Sequence, residues 1–232
     1  MMRCAINARL FSAAELVRQG AVFADIGTDH AYLPLFLLNE GKICRAVCAD
    51  INEGPLDSAR RNASATGFSD FVDFVLTDGA AALSGKGITD YAICGMGGEL
   101  IADIIDRAPH LRDGALNLIL GPMSRQGTLR KYLASHGFEI KLESYSTDSG
   151  KHYVTLLATY TGACREIDEF EAEIGAKNAK YVNKSAQISY LKTKMQAFTR
   201  QRDGKIRGGD TAEYEALMVE KIAERIGELL TE

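Results

Sequence analysis

Long apolar runs, paired cysteines and clustered histidines are all missing from this 232-residue chain. No stretch approaches the roughly 20 apolar residues that cross a bilayer, and Met1-Met2-Arg3-Cys4 opens no secretion signal. A cytoplasmic protein without a membrane partner is therefore expected. Cys4, Cys44, Cys48, Cys94 and Cys164 are dispersed without a C-x-x-C pair, which argues against a disulfide framework and a structural zinc site. His30, His110, His136 and His152 include no H-x-x-x-H pair, so no metal is expected. Neither sign of charge dominates: 27 Lys+Arg stand against 31 Asp+Glu, a net −4. With 46% apolar and 25% charged residues, the chain has the composition of an ordinary globular protein of one to two domains. A monomer is expected.

What is present alternates. Ala21–Gly27 is a short apolar run ending in glycine, preceded by a helical pattern over about 5–18. Arg45–Asp50 repeats the type, and Pro55 then suits the first turn of a helix that stops at Gly67. Phe71–Thr77, Tyr91–Cys94 and Leu116–Leu120 continue the strands, with helices over Gly98–Arg107 and Gln126–His136. Runs at 139–146 and 152–160 flank a Thr147–Gly150 turn and read as an antiparallel hairpin. Such alternation predicts an α/β fold, a parallel sheet covered on both faces and made mixed by the hairpin. From about 163 the strand pattern stops. Arg165–Gln201 carries one helical apolar stripe, broken at Gly204 and Gly208-Gly209, and Thr211–Leu230 supplies a return helix. The expected division is a catalytic domain over 1–161 and a coiled-coil-like helical hairpin over 162–232.

Open α/β sheets bind ligands at the carboxyl ends of their strands. Here that rim is acidic: Asp25 and Asp29 at strand one, Asp50 at strand two and Asp78-Gly79 after strand three. The first turn, Gly27-Thr28-Asp29-His30, has one glycine and one carboxylate where a dinucleotide needs G-x-G-x-x-G, so a pyrophosphate would be repelled and a nicotinamide oxidoreductase is disfavoured. S-adenosylmethionine fits better, having a ribose and an adenine, no phosphate and a sulfonium cation. Asp50, with Ile51 beside it, is placed to accept from the ribose hydroxyls, and Asp78-Gly79 to meet the adenine amine. Gly95-Met96-Gly97-Gly98 permits close approach of a purine or of the methionine arm. Asp25, Gly27, Thr28 and His30 complete the expected cofactor site. Helix capping is the alternative reading of these acids.

Asp25-Ile-Gly-Thr-Asp29-His30-Ala-Tyr32-Leu-Pro34, Glu53-Gly54-Pro55, Asp78-Gly79, Gly95-Met-Gly-Gly98, Leu129-Arg130 and Asp148-Ser-Gly150-Lys151 together resemble the bacterial tRNA (adenine(22)-N1)-methyltransferases over nearly the whole chain. The resemblance implies the seven-stranded, Rossmann-like class I methyltransferase fold, a helical C-terminal domain, and methylation of a ring nitrogen of adenine in tRNA. This chain departs from that family in reading Gly121-Pro122-Met123 where Gln-Pro-Asn is usual, and Asp50 where Glu is common.

Independently, residues 177–207 hold nine cations against Asp203 alone, a net +8 that leaves −12 on the rest of the chain. Separation of this kind is an electrostatic footprint for polyphosphate. Lys184, Lys192, Lys194 and Arg200 are the candidate tRNA contacts, with Arg9, Arg125 and Arg130 extending the track and Tyr32 stacking on the target base. Asp29 is the candidate catalytic residue, stabilising charge that grows on the adenine ring. A methyltransferase for another RNA, a protein or a small molecule, and a non-catalytic RNA-binding module, remain the alternatives.

Overall fold

A computed structural model describes residues 6–175 and 180–231. Seven strands form the sheet, β1 (Ala21–Ile26), β2 (Ile43–Asp50), β3 (Val72–Leu76), β4 (Asp90–Cys94), β5 (Asn117–Gly121), β6 (Phe138–Asp148) and β7 (Lys151–Tyr160), and an eighth short strand, β8 (Lys180–Val182), extends its edge. The order is β3-β2-β1-β4-β5-β7-β6-β8. Strands β1 to β5 are parallel, β7 runs antiparallel to β5 and β6, and β8 lies parallel to β6. The chain reverses direction in strand order beside β1, so the β1, β2 and β4 carboxyl ends share one crevice.

Helices α1 (Ala8–Leu16), α2 (Tyr32–Asn39), α3 (Glu53–Thr66), α4 (Gly98–Asp106) and α5 (Gln126–Ser135) flank the sheet, followed by α6 (Glu169–Ile174), α7 (Lys184–Arg207) and α8 (Glu213–Thr231). Asn7 caps α1 by accepting from the Leu10 N–H at 2.9 Å. Pro55 sits in the first turn of α3, where its missing N–H has no helical partner to lose. That helix ends at Gly67 in the left-handed region (φ 80°), and the Phe68 N–H reaches back to the Ala63 carbonyl, closing a Schellman cap.

Three expectations are corrected by this arrangement. The stripe over Arg165–Gln201 is not one helix: α6 ends at Gly175, and α7 begins afresh at Asn183, whose side chain caps it. Gly204 lies inside α7, which continues to Arg207. Arg130 is not a surface cation. It is fully buried, bidentate to Glu143 on β6 (Nε–Oε1 2.9 Å, Nη2–Oε2 3.0 Å), and donates to the Ala172 carbonyl of α6 at 2.8 Å. The Tyr145 hydroxyl donates to the same carboxylate at 2.6 Å. One apolar cluster then runs from Ile26 and Leu120 in the sheet through Tyr145, Tyr190 and Leu191 to Phe198, Met218 and Ile222 in α7 and α8, so packing is continuous across residue 161.

Candidate active site

The crevice at the carboxyl edge has a volume of about 470 Å³ and gathers side chains from four places in the sequence. After β1 the chain turns at Gly27 (φ 74°), whose N–H, like that of Thr28, donates to the Ala49 carbonyl of β2. A Cβ on Gly27 would lie 2.0 Å from the Met96 terminal methyl, so the glycine admits Met96 over the turn. Entry to α2 goes through buried Ala31 at φ 57°, an uncommon conformation for a residue with a Cβ, without any side-chain cap. Asp29 is thus not the cap of α2. It is 78% exposed at the side chain and faces His30 Nε2 at 3.4 Å, while the His30 and Tyr32 rings lie 5.1 Å apart.

Asp25, Asp29 and Asp50 all line the crevice, with Arg9 of α1 as the counter-charge. Asp25 is pushed up from 3.8 to about 6, chiefly because it is withdrawn from water; the Thr28 hydroxyl and Arg9 oppose the shift and Asp50 adds to it. Asp50 accepts from the Asn52 N–H at 2.8 Å through one oxygen, which holds the carboxylate at the end of β2. Gly95 turns at φ 87°, and the following loop is zipped to the loop after β5: Met123 N–H donates to the Met96 carbonyl and Gly98 N–H to the Ser124 carbonyl, each at 2.8 Å. A Cβ on Gly98 would lie 2.3 Å from the Arg125 carbonyl oxygen. Glycine at 98 therefore serves loop-to-loop packing rather than approach of a ligand. Gly97 likewise faces Ser124.

Of the expected cofactor residues, Asp25, Gly27, His30, Asp50, Gly95 and Met96 line the crevice, as do Asp29, Tyr32 and Arg9. Thr28, Ile51, Asp78, Gly79 and Gly97 do not. Arg107 holds Asp78 at 2.6 Å, an ion pair between α4 and the β3 loop that sequence spacing could not disclose. Asn7, Leu10 and Cys94 also line the crevice; Cys94 was visible as the last residue of the fourth strand, whereas Asn7 and Leu10 lay unmarked within the first helical pattern. In the basic segment Lys184, Lys192 and Arg200 are exposed. Lys194 is instead tied to Glu173 at 2.6 Å and largely covered, its ammonium lying over the Tyr190 ring, so it is a packed ion pair as well as a cation. Among the described residues no cluster of His, Cys, Asp or Glu is built to hold a metal.

A doubly wound sheet with an acidic, phosphate-averse first turn defines a methyltransferase-type α/β domain, and residues 6–156 match the family described as "Methyltransferase domain". The chain is 31% identical over 188 residues to the tRNA (adenine(22)-N(1))-methyltransferase of Bacillus subtilis, covering 81% of this chain and 79% of that protein. It belongs to that family. Among solved structures, a Streptococcus pneumoniae protein in complex with S-adenosyl-L-methionine is 30% identical, with 96% and 98% of the two chains covered and a TM-score of 0.77. M. capricolum TrmK in complex with S-adenosyl-homocysteine is 28% identical, with 97% and 96% covered and a TM-score of 0.72.

Proposed function

We propose that the protein transfers a methyl group from S-adenosylmethionine to N1 of an adenine in tRNA, in the cytoplasm where that substrate resides. The observation that carries this reading is the crevice itself, in which the carboxyl groups of Asp25, Asp29 and Asp50, the first pushed up to about 6 by its withdrawal from water, face a space suited to a cationic, phosphate-free ligand. Membership of the adenine-N1 family supplies the base and atom.

S-adenosylmethionine supplies an activated methyl group when bound. Asp50, with one oxygen fixed by Asn52, offers the other to ribose hydroxyls. Asp25 and Arg9 present opposite charges to the amino and carboxylate ends of the methionine portion. Adenine N1 is already a neutral nucleophile at pH 7, so no side chain has to remove a proton before attack. Alignment carries the rate, and such positioning supplies up to about 7–11 kcal/mol in favourable cases. N1 lies on the Watson–Crick edge, so the base must be unpaired or extruded. Asp29 accepts from the adenine amine and stabilises positive charge as it grows on the ring; Tyr32, half exposed at 50%, provides an aromatic surface beside it. Exposed Lys184, Lys192 and Arg200 on α7 hold tRNA phosphates, making 162–232 the grip and 1–161 the chemistry.

Mass spectrometry of nucleosides from tRNA incubated with protein and S-adenosylmethionine tests the proposal. 1-Methyladenosine is the expected product; another modified nucleoside, or none, overturns it.

A further inference from the structure

A second hollow, of about 510 Å³, lies against α5, α7 and the β6–β7 turn and is lined in part by Met123, Gln126, Lys151, His152, Tyr153 and Lys194. Two contacts place it beside the crevice. Tyr153 forms its wall and carries the Arg9 guanidinium of the crevice 6.0 Å from its ring centre. Met123, 43% exposed in this hollow, is hydrogen-bonded through its N–H to Met96, whose side chain lines the crevice. The lining contains two lysines and no carboxylate, the opposite of the acidic crevice next door.

We propose that this hollow receives the nucleotide adjacent to the target adenine, its base against Tyr153 and Met123 and its phosphate toward Lys151. The assignment rests on the tRNA reading above and extends it to a second nucleotide. A base withdrawn from its strand loses stacking with its neighbours, and an aromatic platform for the neighbour offsets that loss without demanding a particular letter. Tyr153 supplies the flat face, and the polarizable thioether of Met123 adapts to purine or pyrimidine. Gln126 turns its amide nitrogen to the Pro122 carbonyl (3.4 Å), which leaves its oxygen for a base amine. Lys151 stands exposed at the hairpin end, while Lys194 is partly neutralised by Glu173, so Lys151 is the phosphate contact. The size suits a nucleotide, within the roughly 300–1,000 Å³ of small-molecule pockets.

Tyr153→Leu and Tyr153→Phe are compared with the parent in steady-state methylation of tRNA, with S-adenosylmethionine affinity measured separately by calorimetry. Loss of the ring should raise KM for tRNA by roughly five- to a hundredfold, the range that base stacking contributes. The kcat and the cofactor Kd should stay within twofold, and Tyr153→Phe should match the parent. An unchanged KM in Tyr153→Leu overturns the slot. So does a parallel loss in Tyr153→Phe, which would make the hydroxyl the contact, or an equal loss of cofactor affinity, which would make Tyr153 a support for Arg9. Should Tyr153→Leu not fold, exposed Lys151→Ala decides: its log-log salt slope for tRNA binding should be shallower by about 1, and an unchanged slope overturns the phosphate contact. A parent that transfers no methyl to tRNA overturns the function itself, a result distinct from a working parent and indifferent variants.

Discussion

Asp29 is the exposed member of the three crevice carboxylates, and since Ala31 rather than Asp29 opens α2, its charge is free of a capping duty. Asp29→Asn keeps shape and acceptor while deleting charge. Single-turnover methylation at saturating substrates should slow by roughly 10²–10³, with melting temperature unchanged; a rate within threefold of the parent would remove Asp29 from the chemistry. Asp50→Ala should weaken S-adenosylmethionine at least tenfold by calorimetry, since two charge-assisted hydrogen bonds of about 1.5–3 kcal/mol each are lost. Asp25 makes a different prediction. Its carboxyl titrates near 3.8 in the unfolded chain and about 6 in the fold, so the native state binds the extra proton. The associated stability is complete below about pH 4 and is lost as pH rises through 6. Asp25→Asn should therefore raise the unfolding free energy measured in urea at pH 7.5 by on the order of 3 kcal/mol, and change it little near pH 4.

At the level of elements, the Arg130–Glu143–Tyr145 group ties α5, β6 and α6 together out of water. Glu143→Gln leaves a buried guanidinium without its charge partner and should cost about 3–5 kcal/mol in denaturant unfolding. The double variant Arg130→Met, Glu143→Leu should lose less than either single, because no unpaired charge remains. Sequence disclosed strands where apolar runs end in Gly27 or Asp50, and α3 where Pro55 and Gly67 mark its ends. It did not disclose α2, whose Tyr32–Leu38 is apolar all round and lacks a period, nor β8, three residues defined only by pairing with β6. Asp50 was legible as a strand-end acid. Asp78 follows its strand in a similar way but lies outside the crevice lining and pairs with Arg107, 29 residues away, a partner that no local pattern reports.

On the scale of the whole molecule, charge is split between an acidic crevice and a basic helix. Lys180, Lys184, Lys192, Arg200 and Arg207 are exposed, whereas Arg202 pairs with Asp203 and Lys205 with Glu215. Binding of tRNA should fall with salt at a log-log slope of roughly −3 to −5 if those five reach phosphates, and cofactor binding should hardly respond. The variant Lys192→Glu, Arg200→Glu should flatten the tRNA slope by about 2 or more in filter-binding titrations while leaving cofactor affinity intact.

The unbroken core from Ile26 to Ile222 gives the basic helix no hinge relative to the crevice. On the proposed function, the gap between grip and methyl donor would then be a fixed length, and the protein would work as a caliper. An RNA would be accepted when the span from its backbone to its displaced base matches that gap, and the choice among adenines would be made by curvature and distance rather than by spelling.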